Sequence, residues 1–240
     1  MQPSRWLMAF LVAMLFIGPT SVAFASKDVA DVSLAGEWRF RLDPDGRGIA
    51  EKWYDQQLPD VISLPGSTDQ AGYGAKGAKA VATQLSRLVE YEGPAWYQRE
   101  IVIPQGSEGK RRVLFLERCH WETQVWVDGK AVGKQNSLSV PHEYDLTDFL
   151  TPGKHRLTIR VDNHYKINVG RNAHSLTEHT QTNWNGIVGR IELRTTDPVW
   201  IEDVQVFPNV EKRAAEVRGV IGNRTGREYE AGIMLKVAAL

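Results

Sequence analysis

Asn183, Trp184 and Asn185 stand together in the stretch His179–Leu193, HTQTNWNGIVGRIEL, and with His179 and Thr180 they form the chain's most promising ligand-holding group. Each asparagine amide offers both a donor and an acceptor, which suits vicinal hydroxyls such as those of a saccharide. The tryptophan adds a flat apolar ring for the C–H face of a sugar and one N–H at its edge. Each residue also has a plain structural reading. Large rings dominate cores and domain interfaces, and asparagine before glycine is ordinary turn chemistry.

Other groupings carry less. His174 and His179 lie five apart with Glu178 between them, yet no metalloprotease-type helix motif or paired cysteines accompany them, so no metal site is assigned. Glu117 and Glu122 flank Cys119. With Arg118 adjacent and no visible means of tuning either carboxyl, they read as structural rather than as a catalytic pair. Ser175, His174 and Asp162 make a triad on paper, but no nucleophile elbow supports it. Cys119 is the single cysteine, which excludes an internal disulfide and leaves a buried, inert thiol as the default. No catalytic residue and no cofactor is assigned.

The elements that must position the Asn-Trp-Asn stretch are strands. Trp38, Phe40 and Leu42 alternate with Glu37, Arg39 and Arg41, the period of two expected when one face is buried and one is wet. The same period recurs over Tyr97–Ile103 and at Leu157, Ile159 and Val161. Val113–Leu116 is apolar throughout, as for a strand covered on both faces. Asp128-Gly129, between Thr123–Val127 and Ala131-Val132-Gly133, is the strongest hairpin signal. Trp121 and Trp126 differ by five, so in one continuous strand they would face opposite sides, with at least one in the core. No stretch keeps a helical period for three turns, although Ile49–Tyr54 and Leu146–Leu150 each suit about one turn. The glycine-rich span Pro59–Pro94 shows little periodicity and reads as a long connection, and Asn163–Asn183 reads as a second.

The expected fold is therefore all-β, a jelly-roll sandwich over residues 26–197 followed by an incomplete immunoglobulin-like sandwich over residues 198–240. Residues 1–25 read as a signal peptide, with Arg5, an apolar run from Trp6 to Ile17, and the small-residue site Ala23-Phe24-Ala25. The expected location is secreted or periplasmic, with no membrane contact after cleavage. With 29 basic and 29 acidic residues, no net field favours nucleic acid or an anionic surface. Ala231–Leu240 reads as a strand with no partner after it, which suggests a fragment or an early-terminated gene model.

Several pieces resemble family 2 glycoside hydrolases, the group that holds β-galactosidases, β-glucuronidases and β-mannosidases. In order they are Leu34–Phe40, Leu64–Ser67, Tyr91–Tyr97, Trp121–Gly129, Val140–Thr147, Asn183–Ile187 and Arg190–Leu193. The resemblance implies an amino-terminal galactose-binding-like jelly roll, an immunoglobulin-like domain, and then a catalytic TIM barrel. In that family two barrel glutamates act as acid/base and nucleophile in a retaining geometry. Neither is assigned within residues 1–240.

The resemblance also implies that a loop near the last strand of the first domain reaches the sugar. Several members carry an aspartate six positions before the glycine of the Gly-Ile pair. Here that position is Thr180, which weakens a galactose-specific reading and leaves Asn183 or Asn185 to supply similar bonds. Arg190 corresponds to the arginine after that pair, with one extra residue between. The expected function is the amino-terminal portion of a secreted, β-galactosidase-like glycosidase, inactive as this fragment alone. Its expected partners are a β-linked saccharide and a downstream catalytic domain of the same protein. A non-catalytic carbohydrate-binding or adhesion module is the alternative, since the jelly roll hosts both.

Overall fold

A computed structural model describes residues 31–76, 87, 89–168, 170, 172–174, 176–177, 183–230, 232 and 234, together with the backbone of Leu7–Ala9. Its strands are β1 (Leu7–Ala9), β2 (Val32–Ser33), β3 (Gly36–Leu42), β4 (Asp60–Leu64), β5 (Gly66–Ser67), β6 (Ala75–Lys76), β7 (Val89–Glu90) and β8 (Pro94–Ile103). They continue with β9 (Arg111–His120), β10 (Glu122–Val127), β11 (Lys130–Asn136), β12 (His142–Asp145), β13 (Gly153–Asp162), β14 (Gly186–Thr196), β15 (Val199–Asn209) and β16 (Ala214–Asn223). The chain divides into two units, Ala30–Glu108 with Arg112–Thr195, and Met1–Val29 with Gly109–Arg111 and Thr196–Leu240.

The larger unit is an antiparallel β-sandwich. One sheet runs β11-β10-β13-β8-β3-β4, and the other runs β12-β9-β14-β2 with β5 also paired to β14. Alternation explains which faces meet. Trp38 and Phe40 of β3, Ala95 and Tyr97 of β8, and Leu157, Ile159 and Val161 of β13 point into one buried cluster. They meet Leu114 and Leu116 of β9 and Ile187 and Ile191 of β14 there. Each such aliphatic side chain contributes about 1.5–3 kcal/mol by leaving water. Val113–Leu116 is buried at every position, as an unbroken apolar run requires.

A second cluster lies on the outer face of the six-stranded sheet, where Trp53, Leu58, Trp96 and Trp126 pack with Tyr54. The connection after β3 is held down over this face by Asp43. Its carboxylate accepts from the backbone N–H of Arg47 at 2.7 Å and of Gly48 at 2.9 Å, and from the Trp96 indole at 3.0 Å. Gly48 is required by the approach, because a Cβ there would lie 2.5 Å from the Trp96 ring. Trp121 and Trp126 are both buried, with β10 starting only at Glu122.

The Asp128-Gly129 hairpin forms as its chemistry demands. Both residues have positive φ, 48° and 76°, and Val127 pairs with Lys130. The Leu146–Leu150 turn closes through Leu150 N–H to the Leu146 carbonyl at 3.0 Å, and Trp53–Asp55 forms a short 3-10 turn. One expectation fails: the span after Pro59 is not a featureless connection. β4 pairs with β3 from Gly36↔Leu64 to Phe40↔Asp60, and it alternates buried Ile62 and Leu64 with exposed Val61 and Ser63. Its exposed valine breaks the polar–apolar contrast on which period-two reading depends.

In the smaller unit β15 pairs with β16 along its length, with a bulge between Ile201 and Asp203, and β1 pairs with the other side of β16. The further strand expected around Ile233, Leu235 and Val237 lies outside the described residues, except for its neighbour Met234.

Candidate functional site

Asn183, Trp184 and Asn185 cross one end of the sandwich immediately before β14. Gly186 opens that strand at φ 151°, and a Cβ there would lie 2.3 Å from the Gly66 carbonyl oxygen. Only glycine allows so close an approach to the paired β5 backbone. The Asn-Gly-Ile signature is thus the place where the loop is clamped to Gly66 and Ser67.

The two asparagines turn inward. Asn185 is fully buried, and its Nδ2 donates to the Gly93 carbonyl at 2.8 Å and the Val161 carbonyl at 3.2 Å. Its Oδ1 accepts from the Tyr97 hydroxyl at 3.1 Å, and its own carbonyl accepts from Thr68 N–H at 2.8 Å. Burial holds the Tyr97 hydroxyl protonated well above its ordinary range, so it remains the donor. Asn183 is buried too and donates from Nδ2 to the Asn163 carbonyl at 2.8 Å. These amides brace backbone that would otherwise be buried without partners. That is the structural reading of both residues, and it leaves Asn185 no group to offer a sugar.

Asn163, which the spacing of polar residues gave no reason to single out, is the hub. It is fully buried. Its Oδ1 accepts from Gly93 N–H at 2.8 Å and from Asn185 Nδ2 at 3.3 Å, while its Nδ2 donates to the Tyr91 carbonyl at 2.9 Å. One side chain thereby ties the Tyr91-Glu92-Gly93-Pro94 turn to the end of β13 and to the loop before β14.

Trp184 is the member left half-exposed. Its indole stacks on the His120 imidazole with centroids 5.0 Å apart and planes at 24°. His120 Nδ1 also donates to the Trp184 carbonyl at 2.7 Å. The ring contacts continue from His120 to Trp121 at 6.2 Å and from Trp121 edge-on to Tyr165 at 6.1 Å. Two half-exposed rings, Trp184 and Tyr165, therefore cap a strip whose middle, His120 and Trp121, is buried. The His120–Trp121 peptide is cis.

Beside this strip lies a compact charge cluster. Asp162 accepts from Lys166 at 2.8 Å, Arg160 at 3.0 Å and the His164 ring at 2.7 Å. Burial by itself would raise the Asp162 carboxyl. The Lys166 hydrogen bond, the His164 backbone N–H and the charges of Arg160 and Lys166 outweigh it and bring the group down to about 2. Glu122 opposes Asp162 across β10 and β13 and pairs with Lys134 at 2.8 Å and Arg160 at 3.5 Å. Glu117 lies in the other sheet and takes Arg190 through both its backbone N–H and its Nε, each at 2.9 Å. Those two bonds hold the Glu117 carboxyl below the usual carboxylate range. Glu117 and Glu122 thus serve different sheets and do not face each other as a catalytic pair.

His179 and Thr180, the remaining candidates, lie outside the described residues, as does Ser175 of the paper triad. An open depression of about 570 Å³ lies elsewhere, over Arg39, Gln98, Glu100 and Arg156. In its lining Lys154 pairs with Glu100 at 3.0 Å and His155 with Asp128 at 2.6 Å, while Arg39, Arg99 and Arg156 donate to backbone carbonyls.

A two-sheet antiparallel sandwich with an amide-braced loop entering its last strand places the chain in the class of β-sandwich domains. More specifically, the chain belongs to glycosyl hydrolase family 2, because residues 32–197 match that family's sugar binding domain. It is similar to a beta-glucuronidase of Paenibacillus borealis, 29% identical over 214 residues that cover 82% of this chain and 33% of that protein. A beta-glucuronidase of Mus musculus is 26% identical over 231 residues, covering 85% of this chain and 34% of that protein. Among solved structures, a beta-glucuronidase from an uncultured Clostridium sp. shares the fold with a TM-score of 0.63 at 23% identity, over 86% of this chain and 35% of that one. The chain spans about a third of the length of the curated relatives it matches.

Proposed function

We propose that this chain is the amino-terminal part of an exported family 2 glycosidase that hydrolyses β-glucuronides. The observation that carries the reading is the family match over residues 32–197, together with similarity to beta-glucuronidases of Paenibacillus borealis and Mus musculus. The relatives support a glucuronide over the galactoside expected from sequence, a reading already weakened by Thr180 at the position where several family members carry aspartate. The half-exposed Trp184 at the braced end of the sandwich supports a role in shaping the sugar cleft. Arg5, the apolar run after it and Ala23-Phe24-Ala25 support export.

In this reading the bond-breaking carboxylates lie downstream in a barrel, where a general acid and a nucleophile flank the glycosidic oxygen. The sandwich supplies a rigid wall and braces that barrel. The test is a panel of aryl β-glycosides assayed with the full-length protein and with residues 26–240 alone. Turnover of the β-glucuronide well above the β-galactoside, by the full-length protein only, is the expected result. A preference for β-galactoside, or turnover by the short chain, would overturn it.

A further inference from the structure

We propose that His120 is a positioning residue for sugar recognition, holding the Trp184 indole in the plane that meets the C–H face of the saccharide. The inference rests on the glycosidase reading above and assigns a role within it. Three observations carry it. First, Trp184 is the member of the Asn183–Asn185 group left half-exposed, and its two neighbours are buried. Second, the His120 imidazole stacks on one ring face with centroids 5.0 Å apart, and no other ring stacks on Trp184 among the described residues. Third, His120 holds both parts of the residue, stacking on the ring and donating from Nδ1 to the carbonyl at 2.7 Å.

The second hold requires the proton on Nδ1, since a carbonyl only accepts. His120 is itself buried at the end of β9, and Trp121 packs beside it. The ring beneath Trp184 therefore belongs to a sheet and not to a loop. Asn183 and Asn185 fix the backbone on either side of Trp184 through Asn163, Gly93 and Val161. A tryptophan immobilised beforehand loses little side-chain freedom when a sugar arrives, which is the advantage of preorganisation. The face opposite His120 would present a π surface to axial C–H groups, the contact that aromatic rings make well.

The experiment uses the full-length protein and an aryl β-D-glucuronide, with wild type, His120→Phe, His120→Asn, Trp184→Ala and the two double variants. Phenylalanine keeps a ring and removes the donor, and asparagine keeps a donor and removes the ring. Each single variant is expected to raise KM about three- to tenfold with kcat nearly unchanged, and the His120 variants to lower the melting temperature modestly because the Trp184 carbonyl or ring loses its buried partner. In the Trp184→Ala background the His120 substitutions should add nothing, since the ring they position is gone. A KM unmoved by either His120 variant, or an effect of equal size with and without Trp184, would overturn the assignment. If one His120 variant does not fold, the other decides. Absence of turnover by wild type would strike the glycosidase reading alone. The same non-additivity would then be read from binding of D-glucuronic acid, followed by tryptophan fluorescence.

Discussion

The Tyr97 hydroxyl donates to the Asn185 amide oxygen across 88 residues of sequence, at 3.1 Å and with both side chains fully buried. It joins the centre of the core to the loop that carries Trp184. A buried amide with four polar neighbours is costly to truncate, because each neighbour is left without a partner in a low-dielectric interior. Asn185→Ala is expected to destabilise the protein by roughly 2–4 kcal/mol, and Tyr97→Phe by about 1 kcal/mol. Urea unfolding of the variants measures both. An Asn185→Ala protein of wild-type stability that had lost affinity for sugar would instead make Asn185 a ligand group.

Gly186→Ala tests the clamp at the start of β14. The added methyl meets backbone of Gly66 and Ser67 at 2.3 and 2.7 Å, atoms that cannot swing aside as a side-chain tip can. A loss of about 3 kcal/mol is expected from overpacking and backbone strain together. Gly48→Ala, which meets the Trp96 ring at 2.5 Å, should cost less because an indole can tilt. Equal costs, read from thermal or urea unfolding, would contradict that ordering.

Asp162 gives the protein an acid-sensitive component of stability. Its folded value of about 2 lies below the unfolded value of about 3.9. The native state therefore binds fewer protons between those values. The stabilisation is fully present above about pH 4 and is lost as pH falls toward 2, with a magnitude of about 2 kcal/mol. Asp162→Asn should be less stable than wild type by that amount at pH 7, with the gap closing between pH 4 and pH 2. A gap that stayed constant down to pH 2.5 would show that the Lys166 and Arg160 contacts do not act through the carboxylate charge.

Cys119 should resist modification in the native protein. It is buried, and burial pushes its thiol far above the ordinary range, so almost no thiolate is present at neutral pH. Aromatic disulfide reagents should label it only after denaturation. Rapid labelling of the folded chain at pH 8 would place the thiol nearer the surface than the structure does.

Much of the scaffold was legible in the order of residues because its signals are local. Alternation over Glu37–Leu42 and Arg156–Val161 follows directly from the strand's period of two, and Asp128-Gly129 fits a positive-φ hairpin with no help from elsewhere. β4 was missed because the exposed Val61 interrupts that contrast. Of the candidate site, only the loop was legible. The Asn-Trp-Asn-Gly cluster marks a loop entering a strand, but whether an asparagine faces ligand or backbone depends on partners far along the chain. Gly93 and Tyr97 lie 92 and 88 residues from Asn185, and Trp184 meets its His120 partner across 64.

Sequence alone determined the β class, the position of the hairpin, and the likeness to family 2 glycoside hydrolases. The first two depend on periodicity and short-range turn stereochemistry, and the third on a succession of short motifs. The tertiary structure alone decided that Asn163 is the hub, that Asn183 and Asn185 brace the loop, and that Trp184 rests on His120. The physical reason is that burial and hydrogen-bond partnership belong to the packed molecule. A polar side chain carries no mark of which buried carbonyl it will satisfy until strands distant in sequence are brought together.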